Sequence, residues 1–136
     1  QKTLLITPDI SKNKRPHLLP LTDSALDILR KQRLNNDSKF IFPHRLDDTK
    51  HMRTDSLSQA IDRYRTSTPQ IKPFTARDLR RTCKTLMGEL GISKSIRDRL
   101  QNHALNDVSS KHYDRYEYLP EKRKALESWE QRLQQI

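Results

Sequence analysis

The hydrophobic and polar positions alternate between two periods along the chain. Thr3-Leu-Leu-Ile-Thr7 and His17-Leu-Leu-Pro-Leu21 are short β-prone runs flanking a polar, basic loop from Pro8 to Pro16, and they predict a hairpin. Thr22 then stands as the N-cap of a helix reaching about Asn35, with Leu21 and Leu26 spaced for a hydrophobic staple. Phe40-Ile-Phe42 reads as a third strand closed by Pro43, and residues 43–53 read as a loop. A second helix is expected from about Thr54, because Leu57, Ala60, Ile61 and Tyr64 recur at helical spacing. Pro69 and Pro73 bracket an extended linker.

Thr75 begins the next helix, and Asp78 three residues later completes an approximate capping box. Its apolar stripe is Leu79, Cys83, Leu86, Met87 and Leu90, and Gly91 supplies the stop. Ser93 or Ser95 starts a short helix through Leu100, and another is expected over about Val108 to Tyr116. A last helix from Pro120 carries Leu126, Trp129 and Leu133 on one face. The pattern predicts a mainly α domain with a small antiparallel β-sheet at its N-terminal side, an α+β arrangement over residues 1–136 as a single domain.

Charge changes this picture more than length does. Lys and Arg number 27 against 17 Asp and Glu, a net charge of +10, while only 32% of residues are hydrophobic. The core is therefore small relative to the surface, and the surface suits a polyanion whose released counterions supply affinity. Cys83 is the only cysteine, which excludes an internal disulfide and fits a reducing compartment. No apolar run approaches the roughly 20 residues needed to span a bilayer, so no membrane partner is expected. The chain opens at Gln1 within a strand-like run, as a piece of a longer protein would.

Three regions carry candidate chemistry. Arg77 and Arg80 lie three residues apart, on one face near the positive end of the third helix, where guanidiniums and helix dipole together suit a phosphate. Arg81 and Lys84 add charge on the same helix; the bland reading is a solvated basic face. His103 ends the fourth predicted helix, and a lone histidine is commonly structural. Tyr113 sits among Tyr116 and Tyr118, and tyrosines in a short helix commonly pack. Its phenol needs nearby cations or a base to act as a nucleophile, and Arg80 and His103 are candidates. Lys12, Lys14 and Arg15 in the hairpin loop can hold a DNA backbone, and a lysine there can pass a proton to a leaving oxygen; from composition a merely solvated loop fits equally well. The histidines His44, His51, His103 and His112 lack the spacing of zinc ligands, so no metal site is expected.

In combination these residues resemble the catalytic domain of a tyrosine recombinase, more narrowly a phage or genomic-island integrase. Lys12-Asn-Lys-Arg-Pro-His-Leu-Leu-Pro-Leu21 matches the family's strand-loop-strand, with Lys12 on its catalytic lysine. Arg77-Asp-Leu-Arg80 matches the family's His-x-x-Arg box, and Leu-Gln-Asn-His103-Ala its later histidine. Tyr113 in His-Tyr-Asp-Arg-Tyr falls on the nucleophile, and Tyr118-Leu-Pro-Glu-Lys-Arg leads into the closing helix with its Trp. Two departures stand out. Arg77 occupies the usual histidine position, and arginine cannot act as a base. The family's first catalytic arginine, and its core-binding and arm-binding domains, are not among these residues, so the 136 residues alone are expected not to recombine DNA.

The resemblance implies site-specific recombination without metal or other cofactor, through a 3′-phosphotyrosyl intermediate. Tyr113 would attack, Arg80 and His103 would stabilise the transition state, and Lys12 would protonate the leaving 5′-oxygen. Double-stranded attachment-site DNA is the implied partner, with a homotetramer on DNA, accessory DNA-bending proteins and a bacterial cytoplasmic, nucleoid-associated location. The rival reading is a catalytically decayed DNA-binding module of an integrase-like protein, with Arg77 as a mark of decay. A third is a helical interaction domain anchored by Leu126 and Trp129.

Overall fold

A computed structural model describes residues 2–103 and 116–136. The helix expected over about Val108 to Tyr116 lies mostly outside the described residues. The described residues are α-helical with two small antiparallel sheets, and the chain divides into two compact units. One unit comprises residues 1–26 and 86–136, and the other comprises residues 27–85.

The first unit opens with the predicted hairpin: β1 (Thr3–Ile6) pairs with β2 (His17–Pro20), with Thr3 opposite Pro20 and Ile6 opposite His17. Helix α1 (Asp23–Leu34) follows and continues into the second unit. Thr22 caps it as expected, its Oγ1 accepting from the Ala25 N–H at 3.4 Å. Glu130 adds a cap from elsewhere in the chain, its carboxylate accepting from the Ser24 N–H at 3.1 Å.

In the second unit the expected strand at Phe40–Phe42 does not form. Local side chains occupy the backbone groups that a ladder would use: Ser38 N–H donates to Asn36 Oδ1 at 3.1 Å, Phe40 N–H donates to Ser38 Oγ at 3.1 Å, and the Arg33 guanidinium donates to the Ser38 carbonyl. The strands lie instead within the segment read as a loop, where β3 (Pro43–His44) pairs with β4 (Asp47–His51). That hairpin has no apolar alternation and no glycine at its turn, so it lacked the usual sequence signature. Asp47 braces it by accepting from Thr49 N–H at 3.1 Å and pairing with Lys50 at 2.6 Å.

Helix α2 (Ser56–Ser67) buries Ile61, while Leu57 and Tyr64 of the expected stripe are exposed. Tyr64 makes an edge contact with Phe74, centroids 6.5 Å apart. Helix α3 (Ala76–Glu89) begins in the second unit and ends in the first. Its capping box is reciprocal: Asp78 N–H donates to Thr75 Oγ1 at 3.3 Å, and Thr75 N–H donates to Asp78 Oδ2 at 3.0 Å. Met87 is buried from its stripe, whereas Leu79 is exposed. The helix stops at Gly91 (φ 77°) in a Schellman motif, with Ile92 N–H donating to the Met87 carbonyl at 3.1 Å and Gly91 N–H to that of Gly88 at 3.0 Å.

Helix α4 (Lys94–Leu100) is capped by Ser93, whose Oγ accepts from Ile96 N–H at 3.4 Å. Helix α5 (Leu119–Gln134) packs on β2. Lys122 and Ala125 are its buried positions, while of the expected face Leu126 and Trp129 are half-buried and Leu133 is exposed. The reason is polar. Lys122 Nζ donates to the Leu18 carbonyl at 2.9 Å, and Arg123 donates to the carbonyls of Leu21 and Lys2, both at 3.3 Å. Burial pushes the Lys122 ammonium below its ordinary pKa, partly offset by the Glu117 carboxylate. Among the described residues Ile61, Met87 and Ala125 are buried apolar side chains, whereas Ser11, His17, Ser38, Asp98 and Lys122 are buried polar ones. Directed hydrogen bonds therefore organise much of the interior.

Candidate active site

The hairpin loop between β1 and β2 carries Lys12, Lys14 and Arg15, all exposed. It is a built turn. Lys14 N–H donates to the Ser11 carbonyl at 3.0 Å, which places Lys12 and Asn13 at the two central turn positions, and Lys14 takes a left-handed backbone (φ 56°). Ser11 N–H in turn donates to the Thr7 carbonyl at 2.9 Å, and Arg15 N–H to Asn13 Oδ1 at 3.3 Å. Lys12 is therefore presented outward from a short loop whose backbone is fixed on both sides.

His103 is positioned by the end of α4. Asn102 adopts the left-handed conformation (φ 52°) just past the helix, and His103 N–H donates to the Asp98 carbonyl at 2.9 Å while Asn102 N–H donates to that of Arg99 at 3.2 Å. This is a second Schellman motif, with Asn in the place Gly91 holds at the end of α3. The imidazole meets the Asp98 carboxylate, Nδ1 to Oδ1, at 3.3 Å. Asp98 is buried and also pairs with Lys94 Nζ at 3.0 Å. A buried carboxylate at Nδ1 fixes the ring orientation and favours its proton on that nitrogen. The His103 side chain remains 44% exposed, enough to meet a ligand.

The lysine loop and the histidine turn are joined directly. Asn13 Nδ2 donates to Asn102 Oδ1 at 2.8 Å, Asn102 Nδ2 to Ser11 Oγ at 3.1 Å, and Ser11 Oγ to Asn13 Oδ1 at 2.7 Å. The immediate neighbours of Lys12 and His103 are thus tied across 89 residues of sequence. His17 reinforces the junction, its Nε2 donating to the Leu100 carbonyl at 3.3 Å.

In the other unit, Arg77, Arg80 and Arg81 are exposed on the first turns of α3, and Lys84 is half-buried one turn further on. Arg77 and Arg80 share a face as their spacing requires. Arg81 lies 3.5 Å from Asp78, an exposed pairing of little energetic weight. Burial pushes the Cys83 thiol up, with Arg80 partly opposing, so the cysteine stays protonated beside these cations. The structure thus brings together the surroundings of Lys12 and His103 within one unit and places the α3 arginines on one helical face in the other. Tyr113 lies outside the described residues. Among the described residues no group of three or more His, Cys, Asp or Glu side chains is arranged to hold a metal ion, and no helix is long and apolar enough to cross a membrane.

The family model described as the phage integrase family matches residues 1–118. This chain belongs to the phage integrase family. A curated relative, the prophage integrase IntA of Escherichia coli strain K12, is 26% identical over 119 residues. That match takes in 87% of this chain and 28% of the relative, so the chain spans well under half of that protein's length. No solved structure matches the chain. At the level of the family, membership points to tyrosine recombinase-type enzymes of DNA integration. The sequence reading missed Ser11, Asn13, Asp98 and Asn102 as surroundings of the candidate residues Lys12 and His103. The only local signal was Asn102, an Asn following a short helix and preceding the candidate histidine.

Proposed function

We propose that the full-length protein carrying this integrase segment cleaves and rejoins double-stranded DNA at attachment sites through a 3′-phosphotyrosyl intermediate, the segment alone being inactive. The phenolic oxygen of Tyr113 forms the new P–O bond as the bond from phosphorus to the 5′-oxygen breaks. The phenol loses a proton and the 5′-oxygen gains one, from Lys12. Arg80 and His103 hold the non-bridging oxygens as charge accumulates on them. Arg77 acts as a further phosphate contact rather than a base. Lys14, Arg15, Arg81 and Lys84 hold the DNA backbone. One phosphoester replaces another, so the step conserves bond energy and needs neither ATP nor another cofactor. In this reading the full-length protein works as a homotetramer on DNA, helped by DNA-bending proteins, in the bacterial cytoplasm and at the nucleoid.

The observation that supports this reading best is the 2.8 Å bond between Asn13 and Asn102, which couples the segments of two candidate catalytic residues far apart in sequence. Arg77 favours the second reading, a decayed DNA-binding module. One experiment separates them. The full-length protein is incubated with nicked attachment-site DNA and resolved on a denaturing gel beside Tyr113→Phe. A DNA-linked band that the substitution removes is the expected result. A protein that binds this DNA and forms no such band is a binding module.

A further inference from the structure

We propose that Asn13 and Asn102, with Ser11 bridging them, are positioning residues that hold Lys12 in place to protonate the leaving oxygen. The inference rests on the assignment of Lys12 as proton donor, but the three residues themselves do not touch the DNA in it. Their hydrogen bonds form a closed ring in which every side chain both donates and accepts: Ser11 to Asn13 at 2.7 Å, Asn13 to Asn102 at 2.8 Å, Asn102 to Ser11 at 3.1 Å. A ring of this kind is mutually polarising, and the Arg15 N–H donating to Asn13 Oδ1 at 3.3 Å fixes its sense. Ser11 is buried within it.

Two features make the ring more than loop docking. Ser11 and Asn13 flank Lys12 on both sides, within a turn closed by the Lys14 N–H to Ser11 carbonyl bond. The lysine backbone therefore cannot shift without breaking the ring. Asn102, for its part, sits at a left-handed position (φ 52°) that glycine adopts with less strain. Glycine terminates α3 in the same motif, so the helix end alone does not call for an amide. The Asn102 side chain is spent on the lysine loop, and the same backbone turn delivers His103 one residue later. Proton donor and transition-state contact are thereby referenced to one another rather than to the fold at large. A displacement of about 1 Å at such a group costs on the order of 100-fold in rate.

The test compares single-turnover cleavage of two nicked duplexes by the full-length protein. One carries the ordinary scissile phosphodiester and the other a 5′-bridging sulfur. A thiolate leaves without a proton, so the second substrate bypasses the proton donor while keeping every other demand on the site. The proteins are the parent, Lys12→Ala, Asn13→Ala and Asn102→Gly, the last chosen because glycine keeps the left-handed turn while deleting the amide. Asn13→Ala and Asn102→Gly are expected to lose about 10- to 100-fold on the oxygen substrate and to cleave the sulfur substrate at close to the parent rate. If both substrates slow equally in the Asn variants while sulfur rescues Lys12→Ala, the ring is merely structural and the positioning role is wrong. Unchanged cleavage of the oxygen substrate by both Asn variants overturns it as well. If sulfur fails to rescue Lys12→Ala, the assignment of Lys12 falls first, and the positioning role falls with it.

Discussion

Thr75 and Asp78 illustrate how a single pair of residues fixes the start of the helix that carries Arg77 and Arg80. The Asp78 carboxyl is held below its ordinary pKa by the Thr75 hydroxyl first, then by the Thr75 N–H, with the nearby Arg81 and Arg77 charges adding less. Because the folded value lies below the unfolded one, roughly 3.9, the contribution is complete above that range and is lost as pH falls through the folded value. The stability gap between the parent and Asp78→Asn is therefore expected to be open at neutral pH and to close in acid, as followed by urea unfolding. Thr75→Ala should cost about 1 kcal/mol in the same assay. These local bonds were legible because helix caps act over three residues and the residue types required are few. Tyr113, Arg80 and His103 stand out in the sequence as an ordered candidate set for another reason: their chemistry limits which residue types can serve. The surroundings of His103 were not legible, since nothing in the order of Asp98, Asn102 and His103 announces that Asn13 arrives from the hairpin.

At the scale of elements, α5 and the β1–β2 hairpin form an interface governed by main-chain carbonyls. An amphipathic reading of residues 120–133 favours Leu126, Trp129 and Leu133, yet the positions in the interior are Lys122 and Ala125. The Lys122 ammonium reaches Leu18 across 104 residues and replaces the water that this carbonyl would otherwise bind. Lys122→Ala is expected to cost about 1–3 kcal/mol by leaving a buried acceptor unsatisfied. Leu133→Ala should stay within about 0.5 kcal/mol, as exposed substitutions do. Equal losses in denaturant unfolding would return the interface to the apolar face. The β3–β4 hairpin makes a related point, since its polar, exposed strand is held by turn and side-chain bonds rather than by an apolar face.

At the scale of the molecule, the candidate residues fall into both compact units, with the basic helix α3 running from one into the other. A net charge of +10 on 136 residues makes counterion release the expected main source of non-specific DNA affinity. Binding to a random duplex, measured by fluorescence anisotropy, should weaken linearly on a log–log plot between about 50 and about 300 mM salt. An affinity that stayed constant over that range would show that the basic surface is not a phosphate surface. Family membership and charge agree on DNA as the partner, and both were accessible before any coordinates.

What the sequence determined by itself is what depends on neighbours within one helical turn. The helix starts at Thr22, Thr75 and Ser93 and the Gly91 stop all belong to that class. Apolar periodicity was a weaker guide, because few apolar side chains are buried among the described residues and Leu57, Tyr64 and Leu133 face water. Only the tertiary structure decided the Ser11–Asn13–Asn102 ring, the burial of Lys122 and the carbonyls it serves. Those bonds join residues about 90 to 104 positions apart through polar groups with no periodic signature. A hydrogen bond is selected by distance and direction in space, and chain order specifies neither until the fold has closed.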